Sequence, residues 1–400
     1  MTHFEMYLHI VVLTLDWLIA FLWTATTLTA LRNLPRIPDL LDDRYAKALP
    51  PSHVPLISVI VPGRDEAESI EACLRSLLAI ESVTIEIIAV DDRSADATGE
   101  IMERIAAEAQ AAGKILRVLH VTELPSGWMG KTHAMALAAR QASAPWLLFT
   151  DADILFHNGA LLRALNFVEA ERADHMVILP TLILKSFGER MIMAFFQGIG
   201  GISSRFWRIP DPKAKESICV GAFNMVRADI YRAMGGFEAL RMEVLEDLRF
   251  GFEVKHQGFR QRVAFGRDLV RVRWAVGLAG IIRNITKNFF AVFRFRVGLT
   301  LIASMLLFVF CAGPFVACAG GLAMCIPAAL VLLMLVLLYR YYRRYTSIAT
   351  YYAITFPVAA CLVVYAIVRS MVVTLARGGV QWRGTLYPLA ELRKNAGRLR

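Results

Sequence analysis

The sequence predicts an α/β domain with a mostly parallel sheet, set between apolar segments that belong in a membrane. Three observations predict it. Between Pro50 and Arg296, short β-rich runs alternate with helical ones, the pattern of a sheet covered by helices on both faces. Both ends of the chain carry apolar stretches long enough to cross a bilayer. At 56% hydrophobic over 400 residues, the chain is too apolar for an ordinary soluble domain, yet its middle carries normal charge.

Taken in order, residues 7–30 are apolar apart from His9 and Asp16 and are followed by Arg32 and Arg36. No basic region precedes them, so the expectation for residues 1–34 is an uncleaved anchor and not a signal peptide. Asp16 is costly in hydrocarbon and has no evident partner. Pro35, Pro38, Pro50, Pro51 and Pro55 mark residues 35–55 as a linker. Residues 56–61 read as a first strand. Residues 66–79 read as a helix with Ile70, Leu74, Leu77 and Leu78 on one face. Strands are expected at 85–90, 115–121 and 146–150, with helices at 94–112 and 130–142 between them.

Residues 182–209 are apolar around Met191 to Ile199 but too short to span. An interfacial helix, with Arg190, Arg205 and Arg208 near its ends, is expected there; a buried core helix is the alternative. Residues 291–376 hold two to three membrane helices, with Gly320-Gly321 as a turn. Arg32, the cluster Arg340, Arg343 and Arg344, and the basic tail at 377–400 all belong on the cytoplasmic side. Three full spans after a cytoplasmic domain would leave the tail outside. One segment must then be re-entrant, or two must form one broken helix.

The net charge of +10 points to anionic lipid and phosphate ligands; the chain shows no nucleic-acid motif. Cys73, Cys219, Cys311, Cys318, Cys325 and Cys361 have no metal-type spacing and read as small apolar residues in a reducing compartment.

Chemistry gathers at the strand ends. After the first strand comes Pro62-Gly63-Arg64-Asp65-Glu66, where acids at a helix start are also common caps. After the second come Asp91-Asp92 and Ser94-Ala95-Asp96; Gly127-Trp128-Met129-Gly130-Lys131 opens a helix, and Asp151-Ala152-Asp153 follows the strand at 146–150. Carboxylates at the carboxyl edge of such a sheet suit a divalent cation beside a phosphate. Further on, Gly235-Gly236-Phe237 precedes Glu246-Asp247, and Arg273-Trp274 follows at the domain's end.

In order and spacing these elements resemble the nucleotide-diphospho-sugar (GT-A) fold of family 2 glycosyltransferases over residues 56–290. Among these they are most similar to membrane-anchored enzymes that glycosylate lipids, such as the carotenoid-ester, hopanoid-associated and ceramide glucosyltransferase-like groups. The resemblance implies a hexosyltransferase with Mg²⁺ or Mn²⁺ as cofactor. Asp91 and Asp92, with Pro62, Arg64 and Glu66, would form the nucleotide side. Asp151 would approach the ribose or the metal, Asp153 would bind the metal, and Lys131 would reach a phosphate, a solvated lysine being equally compatible. Asp247, with Glu246, would supply the base.

Arg273-Trp274 resembles part of the Gln-x-x-Arg-Trp signature of processive polysaccharide synthases, but Val270 holds the Gln position. Lys287-Asn288 and Trp382-Arg383-Gly384 with Tyr387 also have counterparts in lipid-directed relatives. The implied activity is inverting transfer of one sugar from a nucleotide sugar, UDP-linked by expectation, to a lipid hydroxyl. It would occur at the cytoplasmic face of the inner membrane, in a multi-pass protein. A processive synthase and an inactive membrane scaffold or transporter subunit are the alternatives.

Overall fold

Four apolar runs build the parallel half of the main sheet: β1 (Ile57–Gly63), β2 (Ile85–Asp92), β3 (Ile115–Val121) and β4 (Trp146–Phe149). The computed structural model describes residues 3–50, 54, 56–382 and 384–395; Pro51, Pro55 and Arg383 lie outside the described residues. β1 pairs in parallel with β2 and β4, and β2 with β3. Parallel neighbours need crossovers, supplied by α2 (Ile70–Leu78), α3 (Thr98–Ala111) and α4 (Gly130–Ala139). Helix α2 starts at Ile70, the first residue of its apolar face, and not at residue 66, because residues 66–69 form a turn closed by Ser69 N–H on the Glu66 carbonyl.

The second half adds β5 (Ile154–Phe156), α5 (Ala160–Ala170), β6 (His175–Leu179), β7 (Thr181–Leu182), α6 (Phe187–Ser203), β8 (Asn224–Arg227), α7 (Ala228–Ala233), α8 (Glu246–His256), β9 (Gln261–Phe265) and β10 (Val270–Val272). The seven-stranded order is β3-β2-β1-β4-β8-β6-β9, with β8 antiparallel to both neighbours, so the sheet is mixed although mostly parallel. β5, β10 and β7 form a small second sheet. The chain builds outward from β1 to β3 and then returns to β4 on the other side of β1. The carboxyl ends of β1, β2 and β4 therefore meet at a topological switch point.

The membrane-type helices are α1 (His3–Asn33) and, after α9 (Gly277–Val292), α10 (Val297–Cys311), α11 (Gly313–Ala317), α12 (Leu322–Tyr342) and α13 (Phe356–Ala376). Segments His3–Arg36, Leu322–Tyr342 and Thr350–Ala376 are each long and apolar enough to cross a bilayer. Val297–Cys311 and Gly313–Gly320, bent by 55°, make a fourth if they act as one broken span. Gly321, at φ 120°, starts α12 at the expected turn.

Helix α6 is the seam between the domain and these helices. Its buried face carries Met191, Ile192 and Phe195, and the Tyr339 hydroxyl donates to the Ala194 carbonyl at 2.5 Å. Helix α13 begins and ends against the domain. Tyr352, just ahead of it, packs on Phe187, and Phe356 packs on Phe195 with centroids 5.1 Å apart. Its other end leads into the hairpin β11 (Gly379–Trp382) and β12 (Thr385–Pro388), and then α14 (Leu389–Asn395). The hairpin and the basic tail up to residue 395 therefore pack with the domain at the end of α13.

Under the switch point, Phe250 of α8 is fully buried against Phe149, Tyr231 and Phe237. Because truncating a buried aromatic removes its transfer energy and leaves a cavity, Phe250→Ala is expected to cost about 3–5 kcal/mol. Thermal unfolding of the purified variant measures this.

Candidate active site

The strand ends and the α8 N-terminus enclose a cleft of about 590 Å³. Its centre is Lys131, in the first turn of α4. The ammonium lies 2.6 Å from Asp151 Oδ1 and 2.7 Å from Glu246 Oε1. Burial works against its charge, but the neighbouring carboxylates Asp151, Glu246 and Asp247 outweigh that and hold the lysine well above its usual range. A short loop ties the two acidic walls together: Asp151 N–H donates to the Gly221 carbonyl, and Gly221 N–H donates to Asp247 Oδ2 at 3.2 Å. A Cβ at residue 221 would run into the Asp151 carboxylate, so glycine permits this close approach.

Two acids in the cleft titrate far from their ordinary range. Burial, aided by the Asp151 and Glu66 charges, pushes Asp153 up to about 7. Burial and then Glu246 push Asp247 up to about 7, against the pull of Lys131. Carboxyls held near neutrality in a cleft are candidates for proton transfer or cation binding.

The nucleotide side is built from β1, β2 and the α4 N-terminus. Asp92, 4% exposed, pairs with Arg93 at 2.8 Å. A Cβ at residue 130 would overlap the Asp92 carboxylate, so Gly130 lets α4 start against the end of β2. The C-terminal hairpin crosses the mouth. Gly130 N–H donates to the Tyr387 hydroxyl at 3.2 Å, Arg64 donates to Thr385 Oγ1 at 3.3 Å, and the Lys287 ammonium sits 3.0 Å from the Trp382 ring centroid.

Of the residues singled out in the sequence, Pro62, Arg64, Glu66, Asp92, Lys131, Asp151, Asp153, Glu246, Asp247 and Trp274 all line this cleft. Two do not. The Asp91 carboxylate turns aside, accepting from Ser94 N–H and meeting His120 Nδ1 at 3.2 Å. Arg273 is directed at Glu189, 3.8 Å away. Glu189 is the capping-box acid of α6 and also accepts from Gly277 N–H, so Arg273 belongs to the joint between α6 and α9. Lys131 reaches carboxylates instead of solvent. The sequence reading missed Gly221, Asn284 and Glu243, which no local motif marks, and assigned Lys287, Trp382 and Tyr387 no definite role.

No group of three or more His, Cys, Asp or Glu residues among the described residues forms a ready metal cage. Asp151 and Asp153 nevertheless fit a hard divalent cation. Both offer oxygen, and the Asp151 and Glu66 charges add to burial in raising the Asp153 carboxyl. One or two carboxylates completed by substrate phosphates is the usual arrangement for Mg²⁺.

The mixed, mostly parallel sheet with its acids at the switch point is GT-A-like. Residues 58–235 match the Glycosyl transferase family 2 profile. It is 28% identical over 200 residues to 4,4'-diaponeurosporenoate glycosyltransferase of Staphylococcus haemolyticus (strain JCSC1435), covering 49% of this chain and 50% of that protein. The chain thus spans half the length of this curated relative. Among solved structures it is similar to the mannosyltransferase PcManGT from Pyrobaculum calidifontis in complex with GDP-Man and Mn²⁺. The match has 20% identity and a TM-score of 0.49, covering 86% of this chain and 99% of that one. It is also similar to S. aureus TarS 1-349 in complex with UDP-GlcNAc, at 18% identity and a TM-score of 0.40, covering 58% and 66%.

The hairpin is expected to loosen when its bond to α4 is removed. Tyr387→Phe removes one buried hydrogen bond, worth about 1 kcal/mol. Amide exchange across residues 379–388 should then speed up by about fivefold, read by hydrogen-exchange mass spectrometry.

Proposed function

We infer that the protein transfers a single sugar from a nucleotide sugar, UDP-linked by preference, to the hydroxyl of a membrane lipid on the catalytic domain's side, taken to be the cytoplasmic face. The observation that carries this reading is the facing arrangement of Asp151 and Asp153 on one wall and Glu246 and Asp247 on the other, joined through Lys131. The likeness to a glycosyltransferase of an apolar carotenoid acid supports a lipid acceptor. So does the apolar rim of Trp274, Phe289 and Val292, next to α6 and the membrane helices. Val270 in the Gln position and the engagement of Arg273 with Glu189 speak against a processive synthase.

In this reading Asp92, Arg64 and the α4 N-terminus hold the nucleotide. Asp153, with Asp151, would hold Mg²⁺ or Mn²⁺, which would neutralise charge on the departing diphosphate. Asp247 accepts the proton of the acceptor hydroxyl as its oxygen bonds to the anomeric carbon. The bond from that carbon to the diphosphate oxygen breaks, and its electron pair leaves with the nucleoside diphosphate. Attack opposite the leaving group inverts the anomeric centre. Gly221 N–H and Leu248 N–H hold the Asp247 carboxylate; burial and Glu246 raise the cost of its ionisation and Lys131 offsets part of it, leaving it poised near neutrality.

Transfer of label from UDP-sugars to a lipid extract, with Mn²⁺ present, tests the assignment. Asp247→Asn should lower kcat by about 10²–10⁴, and Asp153→Asn should raise the Mn²⁺ concentration needed for half-maximal rate. Absence of transfer from every common donor, or unchanged kinetics in both variants, overturns the reading. The pH dependence follows from the sign of the shift. A raised carboxyl is protonated below its pKa and cannot act as base, so at saturating Mn²⁺ kcat/KM should rise about tenfold per pH unit up to about 7 and then level off.

A further inference from the structure

Beside the cleft, α9, α13 and β11 enclose a separate pocket of about 300 Å³. Arg283, Lys287, Arg369 and Arg377 line it, and no carboxylate does among the described residues. Arg369 is the one charged residue in the sequence of α13. Its Nη1 donates to the Thr286 hydroxyl at 2.8 Å, and Arg377 Nη1 donates to Gln381 Oε1 at 3.2 Å. Both acceptors are neutral. A guanidinium in an apolar helix is expensive unless it reaches water, a headgroup or a counter-charge. Arg283, Arg369 and Arg377 converge on a pocket with no carboxylate among its described lining residues, which suits a polyanionic group, and the arginine fork suits phosphate.

The apolar surroundings of the pocket point to the source of that phosphate. Helix α13 starts on α6 and ends at the hairpin, so both of its ends are at the domain surface. Val358, Tyr365 and Val372, spaced seven residues apart, form an outer stripe with each residue more than half exposed. The segment Thr350–Ala376, tethered to the domain at both ends, is itself long and apolar enough to cross a bilayer, so its apolar outer face sets the pocket beside lipid. Leu375, also exposed, adjoins the lining residue Thr374 and offers a surface for acyl chain.

We propose that this pocket binds the phosphate of an anionic phospholipid from the leaflet on the catalytic domain's side. Lys287 lines both this pocket and the cleft, and its ammonium rests on Trp382, so a bound lipid would abut the hairpin that crosses the mouth. The site stands independently of the glycosyl-transfer reading.

Native mass spectrometry of the full-length protein, released from detergent with phosphatidylglycerol or phosphatidylcholine, tests the proposal. The wild type should retain one phosphatidylglycerol per chain in preference to phosphatidylcholine. An Arg369→Gln/Arg377→Gln pair should lower that retention by about tenfold or more, and Arg369→Lys/Arg377→Lys should keep most of it. Inorganic phosphate in large excess should not displace the lipid. Equal retention of both lipids, undiminished retention in the glutamine pair, or displacement by inorganic phosphate each overturns the proposal. Should the glutamine pair fail to fold, the lipid comparison and the phosphate competition on wild type decide it alone.

Discussion

The cleft depends on one half-buried cation. Lys131 touches Asp151 from the β4 side and Glu246 from α8, residues separated by almost a hundred positions in the chain. Without that charge, Asp151, Asp153, Glu246 and Asp247 would face one another in a partly desolvated space, where like charges repel strongly and a bare carboxylate is costly. With it, the acids stay close enough to share one substrate, and the Gly221 loop fixes their spacing through two backbone bonds. The same arrangement accounts for the two carboxyls held near neutrality. The positive charge offsets part of their burial cost, and the remainder is available for proton transfer or cation binding.

The membrane helices are part of the same device. Helix α6 seats the domain on α12 and α13, and Arg273 with Glu189 joins α6 to the start of α9. Because α13 returns to the domain, it delivers the hairpin to the α4 N-terminus, where Tyr387, Thr385 and Trp382 meet residues from three earlier segments of the chain. The apolar helices and the hairpin across the cleft thus belong to one continuous stretch from α9 to β12. The basic pocket between α9 and α13 lies on that stretch and shares Lys287 with the cleft.

Much of the site was legible because its acids follow strands of obvious apolar pattern, and strand ends in such sheets converge. Ten of the twelve residues picked from motifs line the cleft. Asp91 and Arg273 failed for a local reason. Adjacent residues on a strand point to opposite faces, so at the end of β2 Asp92 turns inward while Asp91 meets His120; Arg273, just past β10, is drawn to Glu189. The two-residue motifs could not say which member faces the ligand. Lys131 was recognised, but its partners were not, because nothing local pairs residue 131 with residue 246.

By itself, the sequence determined the alternation of strands and helices, the acids at their ends, the apolar segments and the excess of positive charge. These follow from short-range periodicity and composition, which one segment carries without its neighbours. The reversal of β8, the bend after α10, the return of α13 to the domain and the bridging role of Lys131 were decided only by the tertiary structure. Each depends on which distant surfaces pack together and on where a charge finds its counter-charge. Those free energies belong to pairs of segments, and no single segment encodes them.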